Sequence, residues 1–314
     1  MHVVILSAGA GWQTDHLCRA LAERGHTACV LPYEALIARL GVPGRDPAGM
    51  PLAAEGVSIL DADAVLTRIV PTGSLEQIIF RIDALHWIEA RGIPVINSPR
   101  ALERCVDKFY TTALLQEAGL AVPETVVCEH ATDALAAVRR MGDAVIKPIF
   151  GSLGHGIVRV SDPDLALRVV QPLEQIRSVF YVQRLIEHGG RDVRVFVIGG
   201  RVIGAIERTA PPGEWRTNVS RGGGVRAIEL PDAWSAMALR ATAVVGADYA
   251  GVDLLPALDG TVFVLEVNGI PGWKGLQQAT GVDVAAAIAE HVVERVRARS
   301  SDGVAARATD HHRP

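Results

Sequence analysis

The chain has 314 residues, 49% of them apolar and 21% charged, with a net charge of −4. This is ordinary globular composition with material for two domains, and the charge gives no reason to expect nucleic acid or an anionic membrane as partner. No stretch approaches the ~20 apolar residues of a membrane-spanning helix, and residues 1–7 lack the basic leader and the length of a secretory signal.

Residues 2–8 read as a short buried strand and 12–24 as a helix ending at Gly25. Strands at 28–31 and 64–66, a long helix over 74–91 and a strand at 93–96 follow, an alternation that implies a parallel α/β sheet. Residues 41–51, with Pro43, Gly44, Pro47 and Gly49, form a surface loop. Gly9 and Gly11 lie at the first strand-to-helix turn. The third glycine of a dinucleotide fingerprint is absent, so a tight turn is expected there. Arg68, just after the strand at 64–66, is read either as an acceptor-binding residue or as a partly exposed arginine.

Ser98 and Pro99 restart a helix, and Asp107 can cap the next one, which runs to Gly119. A further helix after Thr132 precedes a strand at 144–147. From about residue 180 the character changes to antiparallel α+β, with hairpin turns at Gly199-Gly200 and Asp259-Gly260. Helices over 233–246 and 284–297 interrupt and close this region. Residues 299–314 read as a flexible tail, and its adjacent His311 and His312 supply too few ligands to close a metal site. The four cysteines, Cys18, Cys29, Cys105 and Cys128, show neither metal spacing nor a disulfide framework, so reduced thiols and a cytoplasmic protein are expected.

Only three lysines stand against 28 arginines: Lys108, Lys147 and Lys274. In so Arg-biased a chain, a surviving lysine marks a position that needs a compact ammonium on a flexible stem. Lys147 ends a strand and opens the glycine loop Gly151-Ser152-Leu153-Gly154-His155-Gly156, which a second strand at 157–160 follows. Such a loop can act as a hairpin lid whose amides, with the Ser152 hydroxyl, point at phosphate. The alternative is a hairpin of no consequence.

The Asp259-Gly260 turn makes the segments around Asp253 and Glu266 adjacent strands, with Glu266 and Asn268 on one face. Carboxylates among apolar residues need a partner, and an oxygen-only set of Asp253, Glu266 and Asn268 suits Mg²⁺. The alternative is a buried salt bridge to arginine. Arg208 and Arg194 fall within Val- and Ile-rich strands, and Arg216 and Arg221 lie in the following loop. Forked guanidiniums bind phosphate or carboxylate through paired hydrogen bonds, so Arg208 and Arg216 are read as holding transferring phosphate. Arg201 reads as a solvated surface charge, and Arg226 is open between the two.

In order, Asp107-Lys108, residues 147–156, Gly190-Arg191-Asp192-Val193-Arg194, residues 216–224, Gly251-Val252-Asp253 and Glu266-Val267-Asn268 with Pro271-Gly272 resemble the motifs of the RimK-like ATP-grasp ligases. The resemblance runs from about residue 98 to the last helix. It implies an N-terminal parallel α/β (pre-ATP-grasp) domain over 1–97, then a two-lobed ATP-grasp fold. Its central lobe would span 98–178 and its C-terminal lobe 179–298.

The resemblance further implies ATP with Mg²⁺ or Mn²⁺ as cofactors. Lys108, Lys147 and the lid residues Ser152, Gly154 and Gly156 would meet the phosphates. Gln183 and the backbone at Arg184 and Leu185 would meet the adenine, Asp192 would also touch nucleotide, and Asp253, Glu266 and Asn268 would hold the metal. Arg208, Arg216, Asn218 and Arg221 would form the catalytic set. The reaction implied is amide formation: an acceptor carboxylate attacks the γ-phosphate, and an amine displaces phosphate from the resulting acylphosphate.

Arg184 departs from the acidic residue common in relatives. The Gly272-Trp273-Lys274 signature resembles ligases that add L-glutamate to pterin-type C1 carriers such as tetrahydromethanopterin. Trp273 would then stack on a planar substrate and Lys274 pair with an acidic one, with Arg68 and Arg194 as further substrate residues. The alternative for Trp273 and Lys274 is a structured surface turn. The partners implied are a small acceptor carboxylate and glutamate, within a homo-oligomer by analogy alone. Competing readings keep the chemistry on a ribosomal protein C-terminus or a carrier-bound lysine precursor, or make the chain a non-catalytic nucleotide-binding regulator.

Overall fold

The computed structural model describes residues 1–41, 50–151, 156–217 and 222–310, with side chains described as far as 299. The chain divides into two compact units. Met1–Leu102, Ala247–Tyr249 and Asp283–Pro314 form one; Glu103–Gly246 and Ala250–Val282 form the other.

The first unit opens with β1 (His2–Ser7), α1 (Trp12–Ala22) and β2 (Thr27–Pro32). A small antiparallel sheet follows, of β3 (Leu36–Ala38), β4 (Leu52–Ala54) and β5 (Val57–Ser58). Its strands flank the surface loop expected at 41–51, in stretches for which no element was expected from sequence; residues 42–49 of that loop fall outside the described residues. β6 (Ala64–Thr67), α2 (Leu75–Ala90) and β7 (Val95–Ile96) complete a parallel sheet of order β2-β1-β6-β7. Val3, Val4, Ile5 and Leu6 are all fully buried, as a parallel strand covered on both faces requires. Ser74 starts α2 with a capping box: its hydroxyl accepts from Gln77 N at 3.3 Å while Gln77 Oε1 accepts from Ser74 N at 2.9 Å.

The chain passes through α3 (Pro99–Val106) into the second unit. Asp107 caps α4 (Lys108–Glu117) by accepting from Tyr110 N at 3.0 Å. Next come β8 (Thr125–Cys128), α5 (Ala131–Met141), β9 (Ala144–Lys147), β10 (Val158–Val160), α6 (Pro163–Gln175) and β11 (Phe180–Arg184). The strands form an antiparallel sheet of order β10-β9-β11-β8. Ala134, Ala137, Val138 and Met141 of α5 pack with Ala166 and Val170 of α6 onto Ile146, Phe180 and Val182 of this sheet.

A second sheet contains β12 (Arg191–Ile198), β13 (Arg201–Thr209), β14 (Gly224–Ala227), β15 (Tyr249–Pro256) and β16 (Val262–Asn268), in the order β14-β13-β12-β15-β16. α7 (Asp232–Val245) packs on β12, β13 and β16, α8 (Lys274–Thr280) packs on β13 and β14, and α4 lies against β16. α9 (Val284–Asp310) runs past Arg297, the end expected from sequence, and packs on α1 and β6 within the first unit. Among the described residues, no helix is long and apolar enough to cross a membrane.

Candidate functional site

β9 ends on Lys147, and the register sets Tyr181 of β11 opposite it. Residues two apart on a strand share a face, so Tyr181 and Gln183 both meet the lysine. Lys147 Nζ donates to Gln183 Oε1 at 2.6 Å and lies 6.0 Å from the Tyr181 ring centroid. Gln183 Nε2 donates to the Tyr181 hydroxyl at 3.1 Å and to the Thr125 hydroxyl at 3.0 Å, and the Tyr181 and Thr112 hydroxyls are 2.8 Å apart. Lys108, the first residue of α4, donates to the carbonyls of Ile149 at 3.1 Å and Gly151 at 3.0 Å. That ties the helix to the start of the glycine loop. Gly156 closes the loop at φ 72, a left-handed conformation that favours glycine. Ser152 and Gly154 fall outside the described residues.

Burial lowers the Lys147 ammonium to about pKa 8, opposed by the Glu266 charge and aided by that of Lys108. Burial lowers Lys108 as well, against the attraction of Glu266 and Asp107. Glu266 of β16 therefore lies close enough to act on both ammonium groups. A pH prediction follows from the sign. In the free protein Lys147 is charged below about pH 8 and progressively neutral above it, whereas phosphate oxygens favour its charged form. Nucleotide binding above that pH should take up a proton, read by calorimetry in two buffers of different ionisation enthalpy. Equal heats in both buffers would contradict the placement of phosphate on Lys147.

The backbone amides at the end of β11 are engaged within the fold. Arg184 N donates to Glu124 O at 2.8 Å and Leu185 N to Asp143 O at 3.0 Å. A base meeting the chain there would therefore be read through carbonyl oxygens. The Arg184 side chain forms a fork on the Glu124 carboxylate, which also takes Arg140, so the departure at Arg184 is matched by an acid on the neighbouring segment.

In the second sheet, Asp253 lies opposite Glu266, and Gly251 opposite Asn268. Alternation then puts Asp253, Glu266 and Asn268 on one face. Their oxygens are the donors a hard divalent cation takes, and the trio fits Mg²⁺ chemically. Among the described residues, no group of three or more His, Cys, Asp and Glu side chains is placed to hold a metal; the trio consists of two carboxylates and an amide. Asn268 Oδ1 also accepts from Ile270 N at 2.9 Å.

Both Asp253 oxygens are engaged by arginine. Arg194 Nε and Nη2 reach Oδ1 and Oδ2 at 2.7 Å each, and Arg208 Nη2 reaches Oδ2 at 2.9 Å. The salt-bridge alternative raised for these carboxylates is thus realised at Asp253. Burial favours its neutral form, but the Arg194 and Arg208 guanidiniums outweigh it and hold the carboxyl well below the usual carboxylate range.

Arg208 faces Asp192 directly across β12 and β13 and forks onto it at 2.6 Å through both nitrogens. The Thr217 hydroxyl donates to the same carboxylate at 2.5 Å. Burial opposes the Arg208 charge, while Asp253 and Asp192 together raise its pKa. As placed, Asp192 and Arg208 are buried and bound to each other. Arg216 forks onto Glu214 at 3.0 and 2.8 Å and stacks 5.5 Å from the Trp215 ring. That fork holds the Glu214 carboxyl at about pKa 2. Asn218 and Arg221, the remaining members of the expected catalytic set, fall outside the described residues. Arg226 pairs with Glu207 on the surface, and Arg201 is exposed.

Trp273 is fully buried at the start of α8, whereas Gly272 and Lys274 beside it are exposed. Arg68 belongs to the first unit. It is 1% exposed, not the partly exposed arginine of the surface alternative, and donates to the Tyr249 hydroxyl at 3.2 Å and to Gln13 Oε1 at 2.7 Å. Tyr181, Thr112, Thr125 and Thr217 were not singled out from sequence. Tyr181 carries a usable signal, two residues before Gln183 on the same strand face; the threonines carry none.

Solved structures share this architecture. That of the ATP-grasp ligase PsnB complexed with a phosphomimetic variant of minimal precursor, Mg and ADP matches with TM-score 0.74 at 23% identity, covering 94% of this chain and 98% of that one. The RimK domain protein ATP-grasp from Sphaerobacter thermophilus DSM 20745 matches with TM-score 0.69 at 24% identity, covering 93% and 100%. The fold is that of the ATP-grasp ligases.

At the level of sequence, the RimK-like ATP-grasp domain model matches residues 105–292. The tetrahydromethanopterin:alpha-L-glutamate ligase of Methanosarcina acetivorans is 34% identical over 308 residues, covering 90% of this chain and 95% of that protein. The ligase of the same name from Methanocaldococcus jannaschii is 37% identical over 227 residues, covering 69% and 76%. A probable alpha-L-glutamate ligase 2 from Shewanella denitrificans is 32% identical over 305 residues, covering 96% and 98%. The chain belongs to the RimK-like ATP-grasp family, and it is a ligase of the glutamate-ligase type. The reading as a non-catalytic nucleotide-binding regulator is set aside.

Proposed function

We propose that this ligase uses ATP to join L-glutamate to a carboxylate on a small cofactor of the pterin-type C1-carrier class. The observation that carries the reading is the near full-length similarity to a tetrahydromethanopterin:alpha-L-glutamate ligase. The site chemistry supports it. Lys108 and Lys147 bind and orient the phosphates, with the glycine lid excluding water from a hydrolysable acylphosphate. Asp253, Glu266 and Asn268 would hold Mg²⁺, which when bound supplies positive charge to the nucleotide oxygens. Arg216 and Arg208 stabilise charge on the transferring phosphoryl group. The acceptor carboxylate attacks the γ-phosphorus, the bond to the ADP oxygen breaks, and the glutamate amine then displaces phosphate at the acyl carbon.

The test is incubation with ATP, Mg²⁺, L-glutamate and a panel of reduced pterin carriers bearing a carboxylate, with nucleotide products and acceptor mass both followed. Acceptor-dependent ADP and gain of a glutamyl residue are expected. AMP release, or ADP formation with no glutamyl product, contradicts the proposal. Lys147→Arg is expected to lower ADP formation by ~10-fold or more, because the bulkier fork must displace Gln183 to reach phosphate. An active Lys147→Arg enzyme would remove the argument from the rarity of lysine.

A further inference from the structure

We propose that Arg194 is a positioning residue that holds the Asp253 carboxylate and must release it before a divalent cation can use it. The inference rests on the reading of Asp253, Glu266 and Asn268 as the cation's ligands, and it concerns how that set is kept before nucleotide arrives.

Three charge-assisted contacts converge on Asp253, two from Arg194 at 2.7 Å and one from Arg208 at 2.9 Å. A parallel fork uses an in-plane lone pair on each oxygen, the same pairs a chelating cation would take. Across the strand pair, Glu266 has no hydrogen-bond or ion-pair partner among the described residues. The two carboxylates are therefore not equivalent: Asp253 is capped by guanidinium and Glu266 is not.

The two arginines are not equivalent. The Arg208 side chain is 5% exposed and forks onto Asp192 as well, so its departure would leave the buried Asp192 without a charged partner. The Arg194 side chain is 18% exposed, and among the described residues Asp253 is its one hydrogen-bond partner. Its stem runs beside Gly251, where a Cβ would come within 3.6 Å of Arg194 Cδ and Nε. On release, the Arg194 guanidinium regains water while Arg208 stays in place, so Arg194 is the member that exchanges.

Electrostatics gives the consequence. Arg194, Arg208, Asp192 and Asp253 form a neutral network, so a lone cation gains little by approaching Asp253. A cation arriving with nucleotide brings phosphate oxygens as further ligands. Arg194 thereby couples cation binding to the presence of nucleotide.

The experiment is Mn²⁺ titration of the nucleotide-free protein, with the free aquo-ion signal followed by electron paramagnetic resonance. Arg194→Gln is expected to bind Mn²⁺ at least ten times more tightly than wild type, and Arg194→Gln/Asp253→Asn is expected to lose that gain. Arg194→Lys keeps the charge without the fork and is expected to show a smaller gain. It also serves as the informative variant should Arg194→Gln prove unfolded by circular dichroism. Unchanged or weaker Mn²⁺ binding in folded Arg194→Gln, or in Arg194→Lys in its place, overturns the proposal. A parallel titration with AMP-PNP present separates the underlying reading. If Glu266→Gln fails to weaken Mn²⁺ binding there, the ligand assignment falls. If it does weaken binding while the Arg194 variants change nothing, only the exchange at Asp253 falls.

Discussion

Glu266→Gln should reduce ADP formation by at least ~100-fold under saturating ATP, glutamate and acceptor, since even an outer-shell metal partner is commonly worth 10–100-fold. The substitution preserves shape and changes only charge. It removes one of the two carboxylates of the proposed cation set, the one that no arginine caps. It also removes the negative charge that acts on Lys108 and Lys147. Because Glu266 raises the Lys147 pKa against burial, its loss should move that pKa further below about 8. The alkaline limb of nucleotide binding should therefore shift to lower pH in the variant. Near-normal turnover with an unshifted limb would displace Glu266 from the site.

Arg208→Met should destabilise the protein by about 3–5 kcal/mol, the usual range when one member of a buried ionic network is removed. Asp192 is 4% exposed and Asp253 6% exposed, and Arg208 bonds to both. Without it, Asp192 keeps only the Thr217 hydroxyl among the described partners. For a protein of this size the melting temperature should fall on the order of 10 °C. Arg226→Met is the control: it pairs with Glu207 but its own side chain is 67% exposed, and ion pairs with a solvated arginine contribute little. Equal melting shifts for the two variants would show that the buried network does not hold the second sheet together. The Arg208 variant should also lose activity, so stability and turnover are measured separately.

The parallel first sheet was legible because its strands and helices alternate, and the hairpins because Gly199-Gly200 and Asp259-Gly260 are local turn signals. Asp107 announced its own cap. In the candidate site, the rarity of lysine drew attention to Lys147, which the structure seats against Gln183 and Tyr181. Some elements were missed although signals existed: Asp162 caps α6, accepting from Leu165 N at 2.8 Å, and Pro163 opens it. A salt bridge to arginine was an open alternative for Asp253, but which arginines would meet it lay out of reach for a different reason. Its partners Arg194 and Arg208 are remote in sequence, and they meet it only because β12 lies between β13 and β15. No local pattern encodes that order. Trp273 illustrates the same limit: read from sequence as a stacking platform or as part of a structured surface turn, it is instead fully buried, which neither reading anticipated.

The central claim is that nucleotide phosphates bridge the Lys147 ammonium and a cation held by Asp253, Glu266 and Asn268. The most direct measurement is a crystal structure with AMP-PNP and Mn²⁺, with the cation located by its anomalous signal. The account predicts one anomalous peak in contact with Glu266, Asn268 and Asp253, Arg194 withdrawn from Asp253, and Lys147 on a phosphate oxygen. Nucleotide bound with the cation elsewhere, and with the fork between Arg194 and Asp253 intact, would contradict it.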